Sequence, residues 1–521
     1  MATEPPPAIT TFAEWRPAAN PWLVVVAVMT ATFMEVLDTS VANVALQHIA
    51  GSLSVSPDEA TWVLTSYLVS NAIILPATGL LGRFFGRRRF LIACIGLFTF
   101  ASALCGLANS LAMLIIARIL QGIGGGALQP VSQAIMLETF PREQRGISMS
   151  VYSIGVVVAP ILGPTLGGWL TDDYSWRWVF YINLPVGIFA IIMCLLFLED
   201  PPYLKTGKTR SIDHIGFGLL VIWIGCLQIM LDRGQDEDWF SSLFIRWLAV
   251  GASVGLVVFL FWELKTKNPI VELRILADGN VAIAVLLMFV VGAILFSTTA
   301  ILPRFLQTLL NYSALQSGLV LSPRGIGAIA GSIIAGQILS KTKIDGRIWM
   351  AQGAVVLALS MTMFGSLSLE IAPQNVIWPI VISGFAIPSI FVPVTTFSVA
   401  TVPKEAMADA TGITSLVRNL GGSVGISLIT TFVARGTQAH QALLVSHLTP
   451  HHRAYLDWLN RTQVILAPHS GSVTAHVQAY GLMYQTLQQQ AAFWAYIDQF
   501  RMLVIVCLLV APIVFLYKRA K

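Results

Sequence analysis

Of 521 residues, 56% are hydrophobic and only 11% charged, and the mean hydropathy is +0.75. Soluble domains carry about 25% charged residues, so this chain cannot cover a water-facing surface and reads as a polytopic membrane protein. The net charge of +5 is therefore a property of loops and not a nucleic-acid signal.

In chain order, residues 1–21 form a Pro-rich polar tail, expected in the cytoplasm. The apolar run that follows is too long for a cleaved signal peptide and reads as an uncleaved first membrane helix, 22–46. Inside that run stand two acids, Glu35 and Asp38. A charge at mid-bilayer costs at least about 2.5 kcal/mol, so such a residue faces the bundle interior and usually works there. Three residues apart, the two share a helix face.

Spans 60–82 and 90–107 flank the basic turn "GLLGRFFGRRRF" (Gly79 to Phe90). The fourth span, 111–137, carries Arg118 followed by a glycine run. Asp38 lies ~12 Å and Arg118 ~10 Å from the same end of their helices at the α-helical rise. The two are expected at similar depth, able to pair. Burial and a neighbouring cation pull a carboxylate's proton affinity in opposite directions, which suits proton loading and release.

The fifth span, 147–170, reads "GVVVAPILGPTLGG". Gly155, Gly163 and Gly167 make a stripe for close helix approach, and Pro160 and Pro164 remove backbone donors and invite a bend. Further spans are expected at 177–198, 212–232, 241–264, 279–303, 315–340, 347–369, 374–402, 407–435 and 492–517, fourteen in all. Arg324 and Arg418 fall within spans, with no partner evident in the sequence.

Before the last span, residues 436–491 form a long polar segment with six of the eight histidines and the amphipathic pieces "AYLDWLNRTQVIL" and "QAYGLMYQTLQQQ". Those histidines match no ligand spacing, and all five cysteines sit in apolar runs, so neither a metal site nor a disulfide framework is expected. An even number of spans puts both termini on one side. The clusters Arg83, Arg87, Arg88, Arg89, then Lys205, Lys208, Arg210, then Lys341, Lys343, Arg347 and Lys518, Arg519, Lys521 place that side in the cytoplasm.

These segments resemble the fourteen-helix drug:proton antiporter branch of the major facilitator superfamily, the EmrB-like multidrug exporters. "LDTSVANVALQ" (Leu37 to Gln47) resembles the first-helix motif, with Gln47 where proline is usual. "LIIARILQGIGGG" (Leu114 to Gly126) resembles the fourth-helix motif, whose arginine, here Arg118, is implicated in proton transfer. Gly155 to Gly168, including Pro160, Gly163, Pro164, Gly167 and Gly168, resembles the antiporter motif. "WRWVFYINLPVG" (Trp176 to Gly187) and "LVRNLGGSVG" (Leu416 to Gly425) look like further signatures.

The resemblance implies an all-α major facilitator fold: a six-helix bundle over 22–198, two linker helices within 199–278, and a second six-helix bundle over 279–521. Proton coupling would rest on Asp38, Glu35 and Arg118. A mid-membrane substrate site would draw on Glu35, Asn43, Gln121, Gln129 and Arg418. Glu35 is open to two roles, a second proton site or a binder of cationic substrate. The cytoplasmic gate loop would comprise Gly79, Arg83, Gly86 and Arg87. Its usual aspartate is replaced by Arg83, which puts the superfamily's charge latch in doubt.

The expected function is proton-driven export of lipophilic drugs or toxic amphiphiles, without cofactor, from the bacterial inner membrane. An EmrA-like periplasmic adaptor and an outer-membrane channel are the implied partners. Segment 436–491 would be either the adaptor's docking surface or a cap over the outer mouth. Export of one endogenous metabolite, or an inert scaffold or sensor, are the alternatives. No nucleophile–base constellation or Walker-type phosphate loop points to an enzyme or to ATP coupling.

Overall fold

The computed structural model describes residues 19–201, 213–341, 345–369, 373–403, 406–449 and 451–517. Most of the N-terminal tail, and Lys205, Lys208, Arg210, Lys343, Lys518, Arg519 and Lys521 of the orientation argument, lie outside them.

Among the described residues, fourteen helices are long and apolar enough to cross a membrane. They are α1 Pro21–Leu53, α2 Trp62–Phe85, α3 Arg87–Leu107, α4 Leu111–Thr139, α5 Arg145–Asp173, α6 Trp178–Phe197 and α7 His214–Arg233. The rest are α8 Leu243–Lys265, α9 Gly279–Thr308, α10 Gln316–Lys341, α11 Gly346–Phe364, α12 Gln374–Phe397, α13 Met407–Val445 and α14 Val473–Leu516. No strand occurs among the described residues.

Local chemistry sets the helix starts. Pro21 occupies the first turn of α1, where a missing N–H costs nothing, and the Asn20 side chain accepts from Trp22 N. Ser110 does the same for Met113 N at the head of α4. Gly86 turns the chain between α2 and α3 at φ +83°, a left-handed value that favours glycine.

The helices sort into two groups. In the first, α1 packs on α5 and α6, α2 on α4, and α3 on α4 and α6. In the second, α9 packs on α13, α10 and α11 on α12, and α11 and α13 on α14. Between them, α7 and α8 pair with each other, and α7 leans on α2 and α13. The groups meet along two seams: α5 against α10 and α12, and α13 against α2 and α4.

Segment 436–491 departs from the expected long loop. Helix α13 continues to Val445, an amphipathic helix spans Arg453–Ser470, and the last helix already begins at Ser472. Leu459, Ala479 and Met483, with Leu448, Tyr455 and Leu466 around them, form a small apolar core separate from the main one. Gly471, at φ +76°, makes the reversal. Hydropathy registers only the membrane part of a helix, so the polar continuations escaped it.

Glycine brings α9 and α13 into backbone contact. A Cβ on Gly292 would fall onto the carbonyl oxygen of Arg418, and one on Gly421 onto that of Phe289. Neither carbonyl is the far end of a flexible side chain, so the helices themselves would have to part. Gly421→Val is expected to destabilise the protein by at least about 1–3 kcal/mol, the usual cost of overpacking. Thermal melting of detergent-purified protein checks this; an unchanged midpoint would contradict the contact.

Candidate functional site: two buried acids on α1

The Asp38 carboxylate is buried between α1, α3, α4 and α6. Arg118 Nη1 donates to Asp38 Oδ2 at 2.7 Å, and Arg118 and Asp38 are 0% and 1% exposed. Gln121 Nε2 and Asn183 Nδ2 both donate to Asp38 Oδ1, at 2.9 and 2.6 Å. Ser102 Oγ accepts from Gln121 Nε2 at 2.7 Å. Arg118 is held in turn by Val63 O at 3.1 Å and Gln121 Oε1 at 2.6 Å, with its guanidinium 4.2 Å from the Tyr67 ring centroid. A buried ion pair is tolerated only when its remaining hydrogen-bonding sites are largely filled, and here neutral amides fill them on the acid.

Glu35 occupies a second setting one helical turn away. Gln129 Nε2 donates to Glu35 Oε2 at 2.6 Å, and Asn71 Nδ2 and Tyr67 OH donate to Oε1 at 3.1 and 3.2 Å. Arg418 Nη2 donates to the Oε1 of the same Gln129. An amide can serve an acid with its NH2 and a cation with its oxygen only in one orientation, so Gln129 is oriented by the charges at its two ends. The chain Glu35–Gln129–Arg418 crosses from the first helix group to the second. Tyr67 touches both settings, with its hydroxyl on Glu35 and its ring against Arg118.

Two residues expected in a substrate cavity lie elsewhere. Gln121, one turn from Arg118 on the same face, belongs to the Asp38 cluster and is fully buried. Asn43, five residues past Asp38, is rotated about 140° around α1 at 100° per residue and is exposed. Glu35, Gln129 and Arg418 do converge. No group of three or more His, Cys, Asp or Glu able to hold a metal occurs among the described residues.

The α5 motif packs on α1. Gly155 faces Met29, Gly163 faces Ser40, and Gly167 faces Val41 and Val44. Gly168 faces open space and is not part of that contact. Pro164 has no N–H for the carbonyl of Pro160, and Ser40 Oγ donates to that oxygen at 2.8 Å. The donor lost from α5 is thus replaced from α1, and α5 stays continuous through both prolines.

At the Arg83 end, the structure supplies the charge that the turn lacks. Arg83 on α2 pairs with Asp409 in the first turn of α13, and Gly79 leaves room for that carboxylate. Arg87 pairs with Glu138 near the end of α4. An ion pair does link the two groups here, with its polarity reversed: the cation lies on α2 and the acid on α13.

Sequence reasoning missed Asn183, Ser102, Tyr67, Asn71, Glu138 and Asp409. For Tyr67 and Asn71 the signal was present, as polar residues at i, i+4 inside the apolar stretch of α2. Asp409 stands alone at a helix start, and nothing local names a partner 326 residues away.

With this geometry in view, the chain's kinship follows. Residues 28–426 match the model of the Major Facilitator Superfamily, and the chain belongs to that superfamily. It is 38% identical to the multidrug export protein EmrB of Haemophilus influenzae over 82% of this chain and 84% of that one. It is 34% identical to the fatty acid resistance protein FarB of Neisseria gonorrhoeae over 94% of both. The crystal structure of the human organic anion transporter MFSD10 shares the fold at a TM-score of 0.57 and 13% identity, covering 94% of this chain and 99% of that one. The protein is a multi-pass transporter of the bacterial inner membrane, related to multidrug exporters.

Arg83→Asp, which sets two carboxylates face to face, is expected to lower the melting temperature and impair transport. Adding Asp409→Arg should restore both, with a coupling of about 1–3 kcal/mol. Additive losses in the double variant would show that the two side chains do not act on each other.

Proposed function

We propose that the protein is a proton-driven antiporter that exports lipophilic drugs or toxic amphiphiles by alternating access, with both termini in the cytoplasm. The observation that carries this reading is the sealed Asp38–Arg118 pair. Protonating Asp38 removes the charge that holds Arg118 and leaves a buried guanidinium uncompensated. That situation costs about 3–5 kcal/mol when a buried pair is broken, enough to drive a two-state bundle from one arrangement to the other. Glu35 can act likewise on the link to Arg418, because a neutral carboxyl no longer orients Gln129 between opposite charges. Glu35, Gln129 and Arg418 are then the natural lining of the substrate path once the groups separate. The Arg83–Asp409 pair would be the cytoplasmic latch that such separation must break.

The relatives' names, multidrug export and fatty acid resistance, support a broad lipophilic or amphiphilic cargo. We read the helical extension built around Arg453–Ser470 as the docking surface for a periplasmic adaptor, and through it for an outer-membrane channel. The alternative, a cap over the outer mouth, differs in its consequence for isolated protein.

In proteoliposomes with an imposed pH gradient, Asp38→Asn is expected to abolish coupled efflux while the protein still purifies as a folded monodisperse species. Arg118→Ala should do the same, with Arg118→Lys retaining a fraction of activity because the charge survives without the guanidinium fork. Efflux by Asp38→Asn at the wild-type rate would remove Asp38 from coupling. Replacing residues 446–471 with a flexible Gly/Ser linker should spare efflux in vesicles and reduce drug resistance in cells. Equal loss in both settings would identify the segment as a cap.

A further inference from the structure

Arg324, near the start of α10, is 4% exposed. It lies on the face opposite Leu319, Ile326 and Ile333, which are exposed on the bundle's outside, so its side chain points into the second helix group. Its Nη1 donates to Thr299 Oγ1 at 3.2 Å and its Nη2 to Thr298 Oγ1 at 2.9 Å. Both threonines give their own hydroxyl hydrogens to α9 carbonyls, Thr298 to Ile294 O at 2.8 Å or Leu295 O at 3.0 Å and Thr299 to Leu295 O at 2.7 Å. Toward the guanidinium they act as neutral acceptors only. Arg324 Nε is buried and has no partner.

Among the described residues no carboxylate pairs with Arg324, and no charged group bears on it. Of the other buried arginines, Arg118 has Asp38, Arg87 has Glu138, and Arg418 is tied to Glu35 through Gln129. Arg145 donates to the Leu137 carbonyl oxygen, Arg233 lies over the Trp62 ring with Asp232 beside it, and the half-buried Arg83 has Asp409. A buried cation without a counter-charge costs several kcal/mol, and two threonine hydroxyls would be served as well by a neutral amide. A charge kept at that cost inside a membrane bundle points to an anion that arrives from outside the fold.

We infer that Arg324, with Thr298 and Thr299, is an anion subsite on the export path that takes the carboxylate or equivalent head of an anionic amphiphile. Ser317 supports the assignment. It lies two turns earlier on the same face of α10 and is itself buried, with an unpartnered hydroxyl, which sets a second polar atom in line about 10 Å away. One turn from Thr298 in the other direction, Ile294 and Val291 line a small void with Leu357, Ile387 and Cys507, and the void is almost wholly apolar. The cation thus stands one helical turn from apolar surface, although the void itself is too small to take a hydrocarbon tail without movement of the helices around it. The inference relies on the export reading for the direction of travel, whereas binding itself needs no proton gradient.

The test uses full-length protein in nanodiscs of uncharged lipid, with binding read by intrinsic tryptophan fluorescence against empty nanodiscs. Dodecanoate is the anionic probe and dodecyltrimethylammonium its cationic counterpart. Arg324→Gln is expected to weaken dodecanoate binding about tenfold or more, the scale of one lost charge-assisted contact, and to leave the cationic probe unchanged. Arg324→Lys should recover part of the loss. The Thr298→Val/Thr299→Val double variant keeps the charge and should weaken dodecanoate more modestly, so it carries the test if Arg324→Gln does not fold. Equal shifts for both probes, or no shift for dodecanoate, would overturn the subsite. Proton-driven efflux of the cationic probe by the wild-type protein separates the two readings: its absence alongside the expected binding pattern would tell against antiport and not against the subsite.

Discussion

The first helix group converges on one buried carboxylate. Asp38 receives Arg118, Gln121 and Asn183 from two different helices, α4 and α6, while Ser102 of α3 takes up the remaining amide hydrogen of Gln121. In lipid none of these helices is driven together by hydrophobicity, because the surrounding chains are as apolar as leucine. What selects this arrangement over other packings is that the charge finds its full set of donors only here.

The second acid serves a different purpose, because its partners lie on both sides of the divide. No direct ion pair between Glu35 and Arg418 occurs among the described residues, and Gln129 bridges them as a dipole held at both ends. Removing charge from Glu35 therefore changes the balance across the seam without altering the seam's apolar contacts. At the Arg83 end the ion pair to Asp409 closes the α2–α13 seam directly. The two links are chemically independent, yet both end on α13, at Asp409 and Arg418. Helix α13 is thus tied to the first helix group at two points. Its close glycine contact with α9 carries any shift into the rest of the second group.

The sequence made the fold legible because lipid imposes a length and a composition on every crossing helix. Fourteen segments are expected, and fourteen helices of suitable character are present among the described residues. The approach of Asp38 to Arg118 was legible too, since depth follows from counting residues along a helix of known rise. Rotation about the helix axis is less forgiving: Asn43 is grouped with the site through the resemblance but turns about 140° away from Asp38. Contacts between distant segments were not legible at all. Arg83 reads as the loss of a latch, because the compensating acid stands on another helix in a stretch with no motif around it. The amphipathic pieces of the outer segment are helical as their pattern suggests, but the continuity of the second with the last membrane helix was not legible, because a hydropathy window registers only the membrane part.

The distribution of charge between the groups carries one more consequence. On α1 two acids sit in nests of amide donors, whereas α10 and α13 present arginines whose nearest hydrogen-bond partners are hydroxyls and an amide. A group rich in anchored acids is suited to exchange protons, because each proton is received where donors already stand ready to rearrange. A group with an under-neutralised cation is suited to hold an anion, because the ligand supplies what the fold omits. The two chemistries stand in different helix groups. They then communicate only through the contacts that cross the seam, of which Gln129 is the most exposed to both.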